Sequence, residues 1–317
     1  MTLSNNKNGQ IQPKHDMFSV QCSNAYDAWR EQRLGGYPVA WDESIVTLAD
    51  MMNPSDTELL RIVNFCAKYN MAIYDSASQG QKLIPQKDIA AALAGFCARL
   101  GLTSMEQHRS AQLGGVVAIE KNVGDGPSDR RGGYIPYTDK PLSWHTDGYY
   151  NAPVDRIRAM VLHCRQDALE GGVSELLDPE IVYIRLRDEN IDYVKAFMHP
   201  QAMIIPENTD PRSPYRPDSV GPVFEVDEKT GALHMRYSAR ARNIIWRDDP
   251  TTLKARDFLT EVLKTDPLIA RYKLKSGQGV ICNNVLHNRT GFIDASDAGA
   301  TRLLYRIRYK ERIRREL

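Results

Sequence analysis

The chain has 317 residues, of which 42% are hydrophobic, and a formal net charge of +1 from 41 basic and 40 acidic side chains. This length is enough to bury a large core, the balanced charge gives no reason to expect a nucleic-acid partner, and no apolar run is long enough to cross a membrane. Five scattered cysteines without a Cys-x-x-Cys pattern, and a polar N-terminus without an apolar signal region, indicate a reduced cytoplasmic protein.

The N-terminal part of the chain combines a polar lead-in with helices and strands. We expect residues 1–20 to be flexible and residues 21–317 to form a single domain. Ser55-Asp56-Thr57-Glu58 has the form of a capping box and precedes an apolar stripe of helical spacing, so a helix is predicted to begin there. The next predicted elements are a strand at 71–74, a helix at 85–100 and a strand at 116–120.

A long polar loop and a series of short elements follow. Residues 122–140 are rich in Gly, Pro and Asp, and we interpret them as a lid or substrate loop, with a plain surface connection as the alternative. Many short strands with interspersed helices predict a mainly β, α+β fold with a jelly-roll core, flanking helices and long loops. The later predicted elements are a strand at 157–164, helices at 179–187 and 189–198, a Pro-rich loop at 206–222, a hairpin at 223–226 and 233–237, a helix at 251–264, and strands at 270–274, 279–283 and 302–309.

His145-Thr146-Asp147 is the first candidate for chemistry. Residues i and i+2 of a strand point to the same face, so both side chains can reach one ion if a strand ends here in a turn, as Gly148 indicates. Two imidazoles and one carboxylate on one face of an iron ion leave three coordination positions open, which is the arrangement of non-haem Fe(II) oxygenases. A lone His-x-Asp is nevertheless common and in most proteins binds no metal.

A third ligand has to come from a distant part of the chain, and His287 is the best candidate. Residues 277–290 read as a Gly turn, a buried apolar strand and a polar end that carries this histidine. The other five histidines are expected at the surface, in the core or at caps.

An arginine-bearing strand follows His287. In the segment 302–309, the apolar positions 303, 305, 307 and 309 alternate with Arg302, Leu304, Arg306 and Arg308. This is a period-2 pattern, which is typical of a strand. Arg302 and Arg306 therefore project from one face, roughly 13 Å apart. One guanidinium can hold a co-substrate carboxylate bidentately and the other a second anion. The alternative is a solvated face of a sheet.

In this order, His145, Asp147, His287 and Arg302 resemble the taurine dioxygenase/TfdA-type family of Fe(II)- and 2-oxoglutarate-dependent dioxygenases. The resemblance covers residues 134–309. It implies a double-stranded β-helix, an iron ion bound by the two histidines and the aspartate as the catalytic centre, and an Arg302 that binds the C5 carboxylate of 2-oxoglutarate.

The same resemblance implies two further roles. Ser174, after the glycines at 171–172, occupies the place of a hydroxyl residue that assists 2-oxoglutarate, and Arg306 lies near the substrate and co-substrate. With Fe(II), 2-oxoglutarate and O2, such an enzyme oxidises an unactivated C–H bond, here by expected hydroxylation, and releases succinate and CO2. The carboxylate of Asp147 argues against a halogenase, in which a small residue leaves room for chloride.

The substrate is predicted only as a class. Arg236, Arg240 and Arg242 share strand parity. With Arg306 they favour a small anionic or zwitterionic metabolite, and surface salt bridging is the alternative. Tyr134, Trp144, Tyr149 and Tyr150 cluster around the motif, and we interpret them as core residues. The alternative is an aromatic cage for a quaternary ammonium substrate, as in γ-butyrobetaine and trimethyllysine hydroxylases, but the N-terminal zinc module of those enzymes has no counterpart here.

Two other classes of protein remain open. A zinc-dependent hydrolase would use the same three ligands with a water in the fourth position, but no Gly-x-Ser-x-Gly or His-Glu-x-x-His element supports hydrolysis. A non-catalytic binding protein that kept the fold is expected to lose its ligands, and the full set is present here. The expected partners are a small-molecule substrate and further copies of the chain in a homo-oligomer, with neither nucleic acid nor a membrane.

Overall fold

The computed structural model describes residues 16–21, 23–38, 40–77, 83–107, 114–121, 135–209, 215–240, 244–295 and 301–313. The predicted α+β mixture is confirmed, with six α-helices and seventeen strands in these ranges. The helices are α1 (Ser23–Leu34), α2 (Asp56–Tyr69), α3 (Ile89–Arg99), α4 (Pro179–Glu189), α5 (Ile191–Phe197) and α6 (Pro250–Thr265). The strands are β1 (Val46–Thr47), β2 (Met71–Asp75), β3 (Val117–Glu120), β4 (Leu142–His145), β5 (Ala159–Gln166), β6 (Glu170–Gly171), β7 (Ser174–Leu177), β8 (Met203–Ile205), β9 (Ser219–Gly221), β10 (Phe224–Val226), β11 (Leu233–Met235), β12 (Ile245–Trp246), β13 (Ala270–Tyr272), β14 (Gln278–Cys282), β15 (Leu286–Arg289), β16 (Phe292–Ile293) and β17 (Leu303–Tyr309).

Two predicted irregular segments fall partly outside the described residues. Residues 1–15 of the lead-in and residues 122–134 of the loop lie there, so the flexible lead-in and the lid stay predictions. The Phe18 ring, just after the start of the described chain, packs edge-on against Trp29 and Tyr183 at centroid distances of 5.1 and 5.3 Å. The described end of the loop forms a 3-10 helix at Ile135–Tyr137.

The larger sheet has six strands in the order β1-β2-β14-β5-β17-β3. All neighbours are antiparallel except β1 and β2. The alternation predicted for residues 302–309 is confirmed, because Tyr305 and Ile307 belong to the core cluster that contains α2 and α3, whereas Leu304 belongs to the other core cluster. Helices therefore cover one face of this sheet, and the arginines of β17 project from the opposite face.

The smaller sheet has four antiparallel strands in the order β13-β7-β15-β4. The chain passes back and forth between the two sheets, since β4 and β15 lie in the smaller one and β5, β14 and β17 in the larger one. Leu176 and Leu286 of the smaller sheet share a core cluster with Met160 and Val280 of the larger one. The two sheets thus enclose a common hydrophobic core.

Helix α2 begins as predicted. Ser55 Oγ accepts a hydrogen bond from the Glu58 backbone N–H, and Glu58 Oε2 accepts one from the Ser55 backbone N–H at 2.6 Å, which completes the capping box. The helix ends at Asn70, which adopts a left-handed conformation with φ 58°. Its buried stripe, formed by Leu59 and Ile62 among others, faces the larger sheet.

Several predicted boundaries were wrong. Helix α3 begins at Ile89 rather than 85, because Asp88 N–H bonds back to Pro85 O at 2.9 Å and closes a separate turn. The Pro-rich segment 206–222 is not all loop, since its end forms β9, which pairs with β8. The predicted hairpin is confirmed as β10 and β11. In the described part of the chain, no helix combines the length and apolarity that a membrane span requires.

Candidate active site

His145 and Asp147 are placed by different local structures. Strand β4 ends at His145, and Asp147 lies in the turn that follows. The predicted strand and turn are therefore confirmed, but strand alternation is not what orients Asp147. Gly148 has φ +65°, and a Cβ there would lie 2.5 Å from Ile157 Cγ1, so the turn requires glycine at this position.

His287 lies on a different strand from the predicted one. Strand β14 ends at Cys282, and the chain turns at Asn284, whose φ is 50°, before β15 carries the histidine. Asparagine tolerates this left-handed conformation, and the turn ends the apolar strand earlier than its sequence predicts. Because β15 pairs with β4, His287 lies directly opposite His145, with ring centroids 4.3 Å apart.

The three predicted ligands come together. One potential ligand atom from each of His145, Asp147 and His287 lies within 4.8 Å of the others, and all three side chains are largely withdrawn from solvent. Asp147 Oδ2 is buried and makes no hydrogen bond with any described residue. An orphaned carboxylate oxygen beside two imidazoles fits a divalent metal ion of the borderline type.

Both imidazoles are oriented by backbone carbonyl groups two residues earlier in the chain. His145 Nδ1 lies 2.9 Å from Ser143 O, and His287 Nδ1 lies 2.9 Å from Val285 O. A carbonyl oxygen only accepts, so each Nδ1 carries the proton and each Nε2 keeps a free lone pair. Burial lowers the pKa of His145 to about 3 and also lowers the pKa of His287, so both rings are neutral at pH 7.

Two arginines hold the carboxylate of Asp147 ionised. Arg306 Nη1 and Arg308 Nη1 lie 3.5 and 3.8 Å from Asp147 Oδ1. Burial raises the pKa of Asp147, but the two guanidinium groups outweigh this effect and lower it below its ordinary value. Arg308 also forms an ion pair with Glu106. Arg308 lies two residues after Arg306 on the same strand, and this spacing could have predicted that both side chains reach the site. No sequence pattern predicted the contact of Glu106 with Arg308.

The predicted co-substrate residues line one cavity with the histidines. Ser174, Arg302 and Arg306 border the same cavity as His145 and His287. The cavity is also lined by Arg289, which sequence reasoning missed, and by apolar residues of both sheets, Ile119, Leu142, Met160, Leu162 and Leu304.

Arg302 and Arg289 differ in their partners. Arg302 is 6% exposed, its guanidinium lies 5.0 Å from the Phe292 ring centroid, and no acidic side chain of the described residues forms an ion pair with it. Arg289 instead donates to the backbone oxygens of Thr138, at 2.8 Å, and of Lys140. Arg302 is therefore a buried cation that lines the cavity and has no ion-pair partner in the described part of the chain, and Arg289 holds the segment that leads into β4.

Arg236, the first arginine of the second cluster, has another role than predicted. Arg236 donates to the carbonyl oxygens of Met203, Ser219 and Gly221, so its guanidinium is fully engaged by backbone. Arg242 lies outside the described residues. The interpretation of this cluster as an anion site is not supported for Arg236.

A larger cavity of about 260 Å³ lies elsewhere and lacks the His/Asp/His cluster. Its lining includes Arg156, Arg158 and Lys310. Each of these cations has an acidic partner, namely Glu225, Asp227 and Asp155 respectively. Among the described residues, the potential metal-ligand cluster lies at the smaller cavity and not at this one, so the smaller cavity is the candidate active site.

Comparison with solved structures identifies related folds. A taurine dioxygenase from Burkholderia xenovorans has a TM-score of 0.53 and 15% identity, over 82% of this chain and 84% of that chain. An asparagine oxygenase in complex with Fe(II), 2S,3S-3-hydroxyasparagine and succinate has a TM-score of 0.58 and 14% identity, over 94% and 92%. The non-haem iron oxygenase OrfP in complex with Fe, succinate and (3R,4R)-dihydroxy-L-Arg has a TM-score of 0.59 and 15% identity, over 81% of each chain.

At these identities the likeness concerns the fold. No curated protein sequence matches the chain significantly. The family model described as "Taurine catabolism dioxygenase TauD, TfdA family" matches residues 82–308, a range that includes every candidate site residue. The chain therefore belongs to the TauD/TfdA family of dioxygenases.

Proposed function

We propose that this protein is an Fe(II)- and 2-oxoglutarate-dependent dioxygenase that hydroxylates an unactivated C–H bond of a small anionic or zwitterionic metabolite. The observation that carries the proposal is the cluster of His145, Asp147 and His287, whose two histidines line a cavity together with Arg302. Arg302 is buried and has no ion-pair partner among the described residues. A metal site alone would suit many reactions, but a metal beside a free buried cation suits a co-substrate that chelates the metal and carries a distant carboxylate.

Each residue has a separate task in this proposal. His145, Asp147 and His287 hold Fe(II) and leave three positions for 2-oxoglutarate and O2. Arg302 binds the C5 carboxylate, with the Ser174 hydroxyl as an additional donor. When bound, iron and 2-oxoglutarate supply the oxidising power, with succinate and CO2 as products. Apolar side chains from both sheets form the rest of the cavity wall.

Charge supports the substrate class. The cavity is lined by Arg289, Arg302 and Arg306 and by no acidic side chain of the described residues. Fe(II) and the 2-oxoglutarate dianion balance each other, so binding both leaves the arginines in excess over Asp147. Arg306 Nε is buried and has no hydrogen-bond partner among the described residues. An excess of positive charge beside an unsatisfied donor favours a substrate with a carboxylate or similar anionic group.

Fold and organisation are part of the proposal. The alternation of the chain between two sheets that share a core supports a double-stranded β-helix, that is, a jelly roll. The two core clusters draw on residues from Phe18 to Ile313, which supports a single domain over residues 21–317. We further expect a homo-oligomer that acts in the cytoplasm and binds neither nucleic acid nor membranes.

The direct test is turnover of 2-oxoglutarate. Succinate formation with Fe(II), O2 and a panel of amino acids and related anions should require all three components, and His145→Ala and Asp147→Ala should each abolish it. His199→Ala, which alters a histidine outside the cavity, is the matched control and should retain activity. Unchanged succinate formation in both site variants, or a metal-dependent hydrolysis that needs neither O2 nor Arg302, would contradict the proposal.

A further inference from the structure

Asn284 joins the two segments that carry the proposed metal ligands. It lies in the turn between β14 and β15, three residues before His287, and is 4% exposed. Its side chain contacts the backbone of Asp147 on both sides, because Oδ1 accepts from the Asp147 N–H at 2.8 Å and Nδ2 donates to the Asp147 carbonyl at 3.0 Å. A third hydrogen bond runs from Nδ2 to Ile157 O at 2.8 Å.

These three bonds restrict how the Asp147 side chain is presented. The carboxylate is attached to a Cα whose two flanking peptide groups are both held by one amide. Asp147 lies in a turn rather than in a strand, so no sheet ladder orients it. Because Asn284 and His287 belong to the same short segment, the amide links the position of Asp147 to the position of His287.

The backbone conformation shows what asparagine adds at this position. A φ of 50° is readily adopted by glycine, which would avoid the Cβ crowding that asparagine accepts here. Compared with glycine, asparagine adds the amide side chain that makes the hydrogen bonds to Asp147. Asn70, at φ 58°, is the other non-glycine residue with positive φ in the described part. Its Nδ2 donates to Asp178 and Glu180, and its Oδ1 accepts from Asn283 and Arg312, so its amide reaches the neighbouring turn without contacting Asp147.

We propose that Asn284 is a positioning residue that fixes the Asp147 carboxylate relative to His287 and thereby sets the affinity and geometry of the metal site. This inference rests on the proposed function, because it takes Asp147 and His287 to be ligands of one metal ion. Asn284 itself has its amide fully engaged by backbone and does not contact the metal. Partners that orient metal ligands commonly contribute 10- to 100-fold in metal affinity.

The test compares Asn284→Gly with Asn70→Gly. Both changes suit the left-handed backbone and remove a buried amide, but only the first removes the contact with Asp147. The dissociation constant of Co(II), measured anaerobically by its visible absorption, should rise by about 10- to 100-fold in Asn284→Gly. The visible Co(II) spectrum should also change, since a displaced carboxylate alters the ligand field. Asn70→Gly should lower the melting temperature and leave both metal readouts unchanged.

A second variant allows the test to succeed even if Asn284→Gly does not fold. Asn284→Asp retains the acceptor for Asp147 N–H and tolerates the same φ, but it loses the donor to Asp147 O and should also weaken Co(II) binding. Circular dichroism and the melting temperature of the metal-free proteins report folding separately. Folded Asn284 variants with wild-type metal affinity and spectrum, or equal weakening in Asn70→Gly, would overturn the inference and leave the proposed function intact. A wild-type protein that binds no Co(II) would overturn both.

Discussion

Several side chains of the candidate site are fixed by contacts that leave one polar group available for a ligand. His145 and His287 each use Nδ1 for a backbone carbonyl, which leaves Nε2 without a proton. Arg302 is buried against Phe292 and has no ion-pair partner among the described residues. Burying an unpaired charge is energetically costly unless a ligand supplies the counter-charge. A substitution of Arg302 should therefore change the binding of an anionic ligand directly.

Replacing Arg302 should separate co-substrate binding from metal binding. Arg302→Gln removes the charge but keeps a polar group of moderate size, and 2-oxoglutarate should bind about 2–4 kcal/mol more weakly, roughly 30- to 1000-fold. The affinity for Co(II) alone should stay within about threefold of wild type, because Arg302 is not a ligand. Titration of the metal-free protein with Co(II) measures the metal affinity, and titration of the Co(II) protein with 2-oxoglutarate measures the co-substrate affinity.

Arg271→Gln provides the matched control, since it removes an arginine that pairs with Glu175 at the surface. It should leave both affinities unchanged. An Arg302→Gln protein that binds 2-oxoglutarate as tightly as wild type would refute the role assigned to Arg302.

At the scale of elements, signals that act within a few residues were readable from the sequence. The capping box at Ser55 and the alternation of β17 are of this kind, because both depend on neighbours along the chain. The strand that carries His287 was not readable, since the turn at Asn284 is stabilised by bonds to Asp147 and Ile157, far away in sequence. Sequence patterns predict structure that neighbouring residues stabilise, and they do not predict turns that depend on contacts with distant residues.

The capping box should make a measurable contribution to stability. In Ser55→Ala the Glu58 backbone N–H loses its acceptor, and the free energy of unfolding should fall by about 1 kcal/mol. Thr57→Ala, at an exposed position in the same helical turn, should change it by less than about 0.5 kcal/mol. Urea denaturation followed by circular dichroism measures the difference, and equal effects of the two changes would contradict the capping role.

His163, on β5 in the middle of the larger sheet, should make stability depend on pH. Burial, together with Arg165, lowers the pKa of this histidine to about 4, below the value of about 6.5 in an unfolded chain. The folded state therefore holds fewer protons, so this contribution is complete above pH 6.5 and is lost as the pH falls towards 4.

In His163→Gln, which keeps a polar partner for the Tyr74 hydroxyl, the slope of unfolding free energy against pH between 4.5 and 6 should decrease by about 1.4 kcal/mol per pH unit. Urea titrations of the metal-free proteins at several pH values provide this slope. An unchanged slope would show that the imidazole remains protonated in the folded protein.

Across the whole molecule, the sequence predicted which side chains come together at the site better than it predicted their surroundings. The order of His145, Asp147, His287 and Arg302 was enough to predict that they form one site, and the structure places the first three within 4.8 Å. The ion pair between Arg308 and Glu106 depends on packing between segments about two hundred residues apart, and no local pattern encodes it. Family resemblance supplied the order of the ligands, and only the structure supplied the contacts that orient them.

Metal and co-substrate should stabilise the whole chain, because the site joins both sheets. At about 100 times its dissociation constant, Co(II) should raise the free energy of unfolding by about 2.7 kcal/mol, and 2-oxoglutarate should add to this only when metal is present. His145→Ala should show neither increase. Thermal unfolding under anaerobic conditions measures the effect, and stabilisation by 2-oxoglutarate without metal would contradict chelation at this site.

The central claim is that iron and 2-oxoglutarate bind together at His145, Asp147, His287 and Arg302. The most direct measurement is the visible metal-to-ligand charge-transfer band that forms when 2-oxoglutarate is added anaerobically to the Fe(II) protein. The band should appear in the wild type, be absent in His287→Ala, and require far more 2-oxoglutarate in Arg302→Gln. Iron binding without any band in the wild type would contradict the claim and favour a different metal chemistry at these ligands.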